Sequence, residues 1–197
     1  HWDHIQGVEE LLHEHPARVI GANVDQHRLP PLDLAVGEGD KIEIGTQTGQ
    51  VYDVPGHTIG HIAVLFEEAK LLFSADSLMA LGCGRLFEGS AAQMWDSLSK
   101  LTMLDPDCLV CSGHEYTAAN ARFALTIEPQ NRALQNRVQR ISNLCAENRP
   151  TVPSTLREEL ETNPFLRPHS ADIRHNLSMH DASDALVFAE IRSRKDK

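Results

Sequence analysis

Strand signals crowd the first half of this chain and stop at Glu115. Val19–Ala22, Lys41–Ile44, Gln50–Val54, His61–Phe66, Leu71–Ser74 and Cys108–Cys111 are short and rich in β-branched or large apolar residues. Gly, Pro, Asn and Asp separate them, which is how strands are punctuated. A short helix over Val8–His13 and a longer one over Ala91–Leu104 are interleaved with these runs. Ser90 with Gln93 three residues on forms a capping box at the start of the longer helix. Strands and helices in this mixed order predict a layered α/β domain over residues 1–116.

Beyond Glu115 the period changes. Leu134, Val138, Ile141 and Cys145 recur at helical spacing, and Thr155 with Glu158 makes a second capping box. Val187 and Ile191 stand one turn apart in a final helix expected over Asp184–Lys195. Residues 117–197 are therefore expected to form a small all-helical domain. The charge divides at the same place. Residues 1–116 carry 18 acidic against 6 basic side chains, and residues 117–197 carry 10 against 12. The split fits a second module suited to an anionic ligand, or helical segments that simply carry more arginine, and on charge alone the second explanation is favoured.

The 197 residues are 41% hydrophobic and 23% charged, enough for a core without disulfide staples. A net charge of -10 argues against a generic nucleic-acid binder or an anionic-membrane binder. No apolar run reaches the length of a membrane span. The expectation is a cytoplasmic monomer with neither nucleic acid nor membrane as partner. Cys108 and Cys111 match C-x-x-C, but they lie in a strand run, where residues i and i+3 face opposite ways. No helix follows to lower a thiol pKa, so they read as structural cysteines.

Eleven histidines are many for this length, and histidine is the commonest metal ligand. His1, Asp3 and His4 place three metal-binding side chains within four residues, and a single loop could aim them at two neighbouring points. His57 follows the strand ending at Val54, Asp76 ends the strand Leu71–Ala75, and His114 follows Cys108–Cys111. Each alone is better explained by a turn or a satisfied loop histidine. Three strand ends of this kind and the His1–His4 cluster in one chain point together to a ligand site.

These residues carry a resemblance. The chain resembles glyoxalase II (hydroxyacylglutathione hydrolase), in the metallo-β-lactamase fold superfamily, whose signature is T-H-x-H-x-D-H. The chain begins at the second histidine of that signature. The likeness continues through Gly56-His57-Thr58-Ile59-Gly60-His61, Phe73-Ser74-Ala75-Asp76-Ser77 and Gly82-Cys83-Gly84-Arg85-Leu86-Phe87-Glu88-Gly89. It then runs through Gly113-His114-Glu115-Tyr116-Thr117, Pro150–Thr155, Asn163–Arg167 and Arg192–Asp196. The later motifs are specific to this family.

The resemblance implies a metallo-β-lactamase αββα sandwich lacking its first strands, followed by a small all-helical domain that binds glutathione. It implies two divalent metal ions, zinc foremost with iron or manganese also suited to imidazole and carboxylate ligands. His1 and His57 would bind one metal and Asp3, His4 and His114 the other, with Asp76 bridging. The histidine two places before His1 in the family pattern would complete the first site. The implied reaction is hydrolysis of the thioester S-(D)-lactoylglutathione to glutathione and D-lactate by a metal-bridging hydroxide, which Asp3 would also orient. Arg192 and Lys195, one helical turn apart, would meet the glycine end of glutathione. Arg85, Phe87 and Tyr116 are the remaining substrate contacts carried over, Phe87 standing where tyrosine is frequent in the family. His61 reads as structural or as a support for the ligands. The 197-residue chain is expected to be an N-terminal truncation that hydrolyses the thioester poorly or not at all beside its full-length parent. The nearest rival is a persulfide dioxygenase of the same fold, from which the Pro150–Thr155 motif and the Arg192/Lys195 helix distinguish it.

Overall fold

The computed structural model describes every residue from His1 to Lys197. Two short helices, α1 (Trp2–Ile5) and α2 (Val8–Glu14), lead into β1 (Ile20–Ala22), a 3₁₀ turn at Asn23–Asp25 and β2 (Leu34–Val36). Next come β3 (Lys41–Ile44), β4 (Gln47–Asp53), β5 (Ile62–Phe66) and β6 (Leu71–Ala75). A tight hairpin of β7 (Leu78–Met79) and β8 (Gly82–Cys83) precedes α3 (Ala91–Thr102) and β9 (Leu109–Ser112). The rest holds α4 (Thr117–Ile127), α5 (Arg132–Ala146), β10 (Ser154–Thr155), α6 (Leu156–Thr162), a 3₁₀ turn at Pro164–Leu166, α7 (Ala171–Leu177) and α8 (Asp184–Asp196).

Six strands form one sheet in the order β10-β9-β6-β5-β4-β3, and β1 with β2 forms a separate parallel pair. β4 is antiparallel to β5, β5 is antiparallel to β6, and β6 is parallel to β9. It follows that β4, β6 and β9 all run the same way. The connections leaving their carboxyl ends therefore emerge along one edge of the sheet, which is where sites in α/β layers gather.

Alternation decides which face is covered. On β6, Leu72 and Ser74 are buried while Phe73 between them is exposed. Ala63, Leu65, Leu72 and Val110 on that covered face join Met94, Leu98 and Leu101 of α3, whose spacing makes one helical stripe. Val187, Phe188 and Ile191 of α8 and Phe165 of the second 3₁₀ turn belong to the same core. Full burial of a side chain such as Leu98 contributes about 1.5–3 kcal/mol. The apolar core is therefore continuous across the point where the sequence changes from strand to helix period.

Both capping boxes form as the sequence requires, at Ser90/Gln93 and at Thr155/Glu158. Two expectations are corrected. Strand structure does not end at Glu115, because Ser154 and Thr155 pair with Val110 and Leu109 at the sheet edge. A two-residue strand is fixed by its partner and leaves no period to read. The His1–His4 cluster is also not a loop, since Trp2–Ile5 forms a single helical turn.

One buried polar knot ties the later helices to the β7–β8 hairpin. Glu159, fully buried, accepts from the buried Arg137, from Ser154 Oγ (2.6 Å), from the Leu81 N–H (2.9 Å) and from Asn163 Nδ2 (3.0 Å). Asn163 Nδ2 also donates to the carbonyls of Met79 and Gly82. Every lone pair of a buried carboxylate so used offsets its desolvation. The hairpin held in this way follows directly on Asp76.

Candidate metal centre

Asp76 follows β6, His57 lies between β4 and β5, and His114 follows β9, so the shared strand direction brings all three to one edge. Gly113 permits the close approach: a Cβ there would stand 2.6 Å from Asp76 Oδ1 and 2.9 Å from His4 Cε1. The helical turn of α1 supplies the other side. His4 Nε2 lies 3.0 Å from Asp76 Oδ2, and His1 Nδ1 lies 3.1 Å from His57 Nε2. Asp76 Oδ2 is also 3.3 Å from His57 Nε2 and 3.5 Å from His114 Nε2. Asp3 Oδ2 is 3.3 Å from His114 Nε2.

Two groups of donor atoms result, His1–His57–Asp76 and Asp3–His4–His114, each within 4.8 Å of one another. Asp76 Oδ2 touches both. Its other oxygen, Oδ1, is buried and has no hydrogen-bond partner. A buried carboxylate oxygen left unpaired among imidazole nitrogens is costly unless a cation completes it. The mixed nitrogen and oxygen donors suit a divalent transition ion. The residues present therefore fit divalent metals.

The electrostatics point the same way. Burial alone would raise the Asp76 carboxyl, but the hydrogen bond from His57 and the neighbouring His4 and His114 outweigh it, holding it at about 2. Asp76 is thus an anion at any physiological pH. His61 is pushed down to about 4, by burial first and then by His57. Its Nε2 accepts the backbone N–H of Asp76 at 3.1 Å, so the neutral ring keeps its proton on Nδ1. His57 Nδ1 faces the Arg85 carbonyl at 2.7 Å, which leaves Nε2 free to face Asp76 and His1.

A cavity of about 460 Å³ opens beside both groups. Arg85, Phe87, Tyr116, Arg192 and Lys195 all line it, together with His1, Asp3, His57, Asp76 and His114. His4 lies behind, on the wall of a second cavity of about 560 Å³. Phe87 is exposed and packs edge-on against His1 and His57, while Tyr116 stacks on His114. Arg192 differs from a solvated helix-end cation, being only 6% exposed. Its guanidinium covers the Phe165 ring, donates to the Cys83 carbonyl at 3.1 Å and pairs with Asp196. Lys195 Nζ sits 5.0 Å from the Phe123 ring centre, and burial is the first cause of its lowered pKa.

Asn120, on the same wall, escaped the sequence reading because α4 carries a weak apolar period. It donates to the Ala80 carbonyl at 3.0 Å and so helps hold the hairpin after Asp76. No helix of the protein is long and apolar enough to cross a membrane.

Comparison with known proteins agrees with this geometry. Residues 1–114 match the family model of the metallo-β-lactamase superfamily, and residues 115–197 match that of the hydroxyacylglutathione hydrolase C-terminus. The chain is 60% identical over 196 residues to hydroxyacylglutathione hydrolase of Jannaschia sp. (strain CCS1), covering 100% of this chain and 77% of that protein. It is 57% identical over 197 residues to the protein of the same name from Cereibacter sphaeroides (strain ATCC 17029 / ATH 2.4.9), with the same coverage. Among solved structures, ETHE1 from Myxococcus xanthus superposes with a TM-score of 0.65 at 24% identity, over 100% of this chain and 66% of that one. BLEG-1 B3 metallo-β-lactamase gives 0.62 at 22% identity, over 85% and 73%. At those identities the structural likeness speaks for the fold alone. The chain, an α/β metallo-β-lactamase fold with a helical C-terminal region, belongs to the hydroxyacylglutathione hydrolase family of metallohydrolases.

Proposed function

We propose that the chain hydrolyses S-(D)-lactoylglutathione to glutathione and D-lactate, with Asp76 shared between two divalent ions, zinc foremost. The observation that carries this reading is a single cavity lined by five of the six donor residues, all but His4, together with Arg85, Arg192 and Lys195. His1, His57 and Asp76 would hold one ion, and Asp3, His4, His114 and Asp76 the other. Bound there, such ions supply an acidified water and a Lewis acid for the thioester carbonyl.

The protein's own groups do the rest. Lys195 and Arg192 attract the carboxylates of glutathione, and the Phe165 ring beneath Arg192 fixes its plane. Arg85 extends the cationic wall. Phe87 and Tyr116 flank the two donor groups and bound the space left for the acyl end. Asp3, exposed beside His114, orients the attacking water and accepts its proton at a carboxylate oxygen. Water oxygen joins the acyl carbon, the C–S bond breaks, and the sulfur leaves as thiolate. No serine or cysteine nucleophile is required, and all four cysteines are free. Free cysteines also favour a reducing compartment such as the cytoplasm.

Free-thiol release from S-lactoylglutathione, with and without a chelator, tests the reading. Chelator-sensitive release of one thiol per lactate supports it. A protein that ignores the thioester and instead consumes oxygen with glutathione persulfide would overturn it.

A further inference from the structure

Glu88 lies in the Gly82–Gly89 motif and has no part in the reaction described above. It is not among the residues lining the 460 Å³ cavity. Its carboxylate instead closes a clamp on the loop that carries His57. Arg28 forks onto it, Nη1 to Oε1 and Nη2 to Oε2 (2.9 Å), and the Ile59 N–H donates to Oε2 at 2.8 Å. Arg28 Nη2 also donates to Asp25 Oδ1 at 2.7 Å. Asp25 in turn lies flat against the loop: a Cβ on Gly60 would stand 2.3 Å from its Cγ. The carbonyl of His57 accepts the Phe87 N–H at 3.3 Å, and that of Gly56 accepts the Gly89 N–H at 3.0 Å.

We propose that Glu88 is a positioning residue: with Arg28 it clamps the Gly56–Gly60 loop so that the His57 ring is presented to the His1–His57–Asp76 group. Three segments distant in sequence meet here, the Asp25–Arg28 turn, the ligand loop and the 85–89 strap. The strap sets both ends of the ring's placement, through the Arg85 carbonyl on Nδ1 and through Glu88 on the loop backbone. A bidentate arginine fork fixes orientation as well as distance, which a single hydrogen bond does not. The carboxyl of Glu88 is held down at about 2, by Arg28 first and by the Ile59 N–H second, so the clamp stays ionised through the neutral range. Supports that orient a metal-binding imidazole typically change metal affinity by about 10–100-fold. The inference rests on the metal-site reading above but not on the thioester.

Zinc binding to the metal-free protein, measured by competition with a chromophoric chelator, tests it alongside amide exchange at Ile59 and Gly60. Glu88→Ala and Arg28→Ala are each expected to weaken the His57 site about 10–100-fold and to speed exchange at Ile59, with the His4 site changed less than threefold. Glu88→Gln retains an acceptor for Ile59 and should fall between. The reversal Arg28→Glu with Glu88→Arg keeps an ion pair but leaves Ile59 without its acceptor, so it should restore melting temperature and not zinc affinity. Unchanged exchange at Ile59, equal loss at both sites, or full recovery in the reversal would overturn the clamp. Since neither readout uses substrate, failure to hydrolyse the thioester would overturn the proposed function and leave this result standing.

Discussion

His4 Nε2 and Asp76 Oδ2 lie 3.0 Å apart, although 72 residues separate them, and this contact joins the first helical turn to the end of a central strand. The other five candidate metal ligands gather around that carboxylate. Oδ2 faces three imidazoles and Oδ1 is buried without a partner. Replacing Asp76 with alanine should therefore empty both metal groups rather than one. Metal analysis should find the bound metal lost from both, and activity should fall by more than the roughly 100-fold that marks an outer-shell change.

Within residues 1–197 the two groups differ in donor count, three ligands around His1 and four around His4 when Asp76 is counted in each. Zinc titration should therefore be biphasic, with the Asp3–His4–His114 site filling first. His114→Ala should abolish the tighter phase, and His57→Ala the weaker.

Gly113→Ala probes the packing at the same carboxylate. Its Cβ would come within 2.6 Å of Asp76 Oδ1. The Asp76 side chain or the loop must shift, and metal affinity should drop about tenfold, or ~1.4 kcal/mol. The melting temperature of the metal-free protein should change little by comparison.

Lys195 offers the cleaner test of substrate recognition, because Arg192 is also part of the core through Phe165 and the Cys83 carbonyl. Lys195→Ala should raise KM about tenfold or more with kcat and metal content little changed. Burial and the nearby Arg192 and Arg122 lower the Lys195 pKa, so the ammonium is lost at a pH below the ordinary 10.5. Affinity for the anionic substrate should accordingly weaken as pH rises toward that range, and Lys195→Ala should remove this dependence.

Glu128 governs acid stability in the helical region. Burial alone would raise its carboxyl, but Arg167, Asn131 and Ser170 more than offset that and leave it below the usual 4.5. A carboxyl depressed in the folded state stabilises the fold above its unfolded pKa, and that contribution is lost as pH falls through the folded value. Glu128→Ala strands Arg167 and should cost about 3 kcal/mol at pH 7. Thermal melts from pH 7 down to pH 3 should show a shallower acid limb in Glu128→Gln.

The strands that carry the site were legible because Leu71–Ala75 and Cys108–Cys111 are apolar runs bounded by turn residues, and the ligands sit just past their ends. The observed strands shift by about a residue at Leu109–Ser112 and by three at the start of β4, Gln47 against Gln50, since pairing rather than composition sets the boundary. β2 and β10 were invisible, being two or three residues long and fixed only by partners distant in sequence. α4 and α7 went unread because one carries alanines with little period and the other has two turns only. Metal-ligand candidates could be picked out because their residue types are chemically distinctive. Glu88 could not, since an exposed-looking glutamate gains its meaning only from Arg28 and Ile59 across the fold.

The most direct measurement is thiol release from S-lactoylglutathione as zinc is returned stepwise to the metal-free protein, run in parallel on Asp76→Ala. The account predicts release that rises with metal, reaches its plateau only after the weaker site fills, and is absent from Asp76→Ala at every zinc concentration. Release that persists in chelator, or that survives the loss of Asp76, would contradict it.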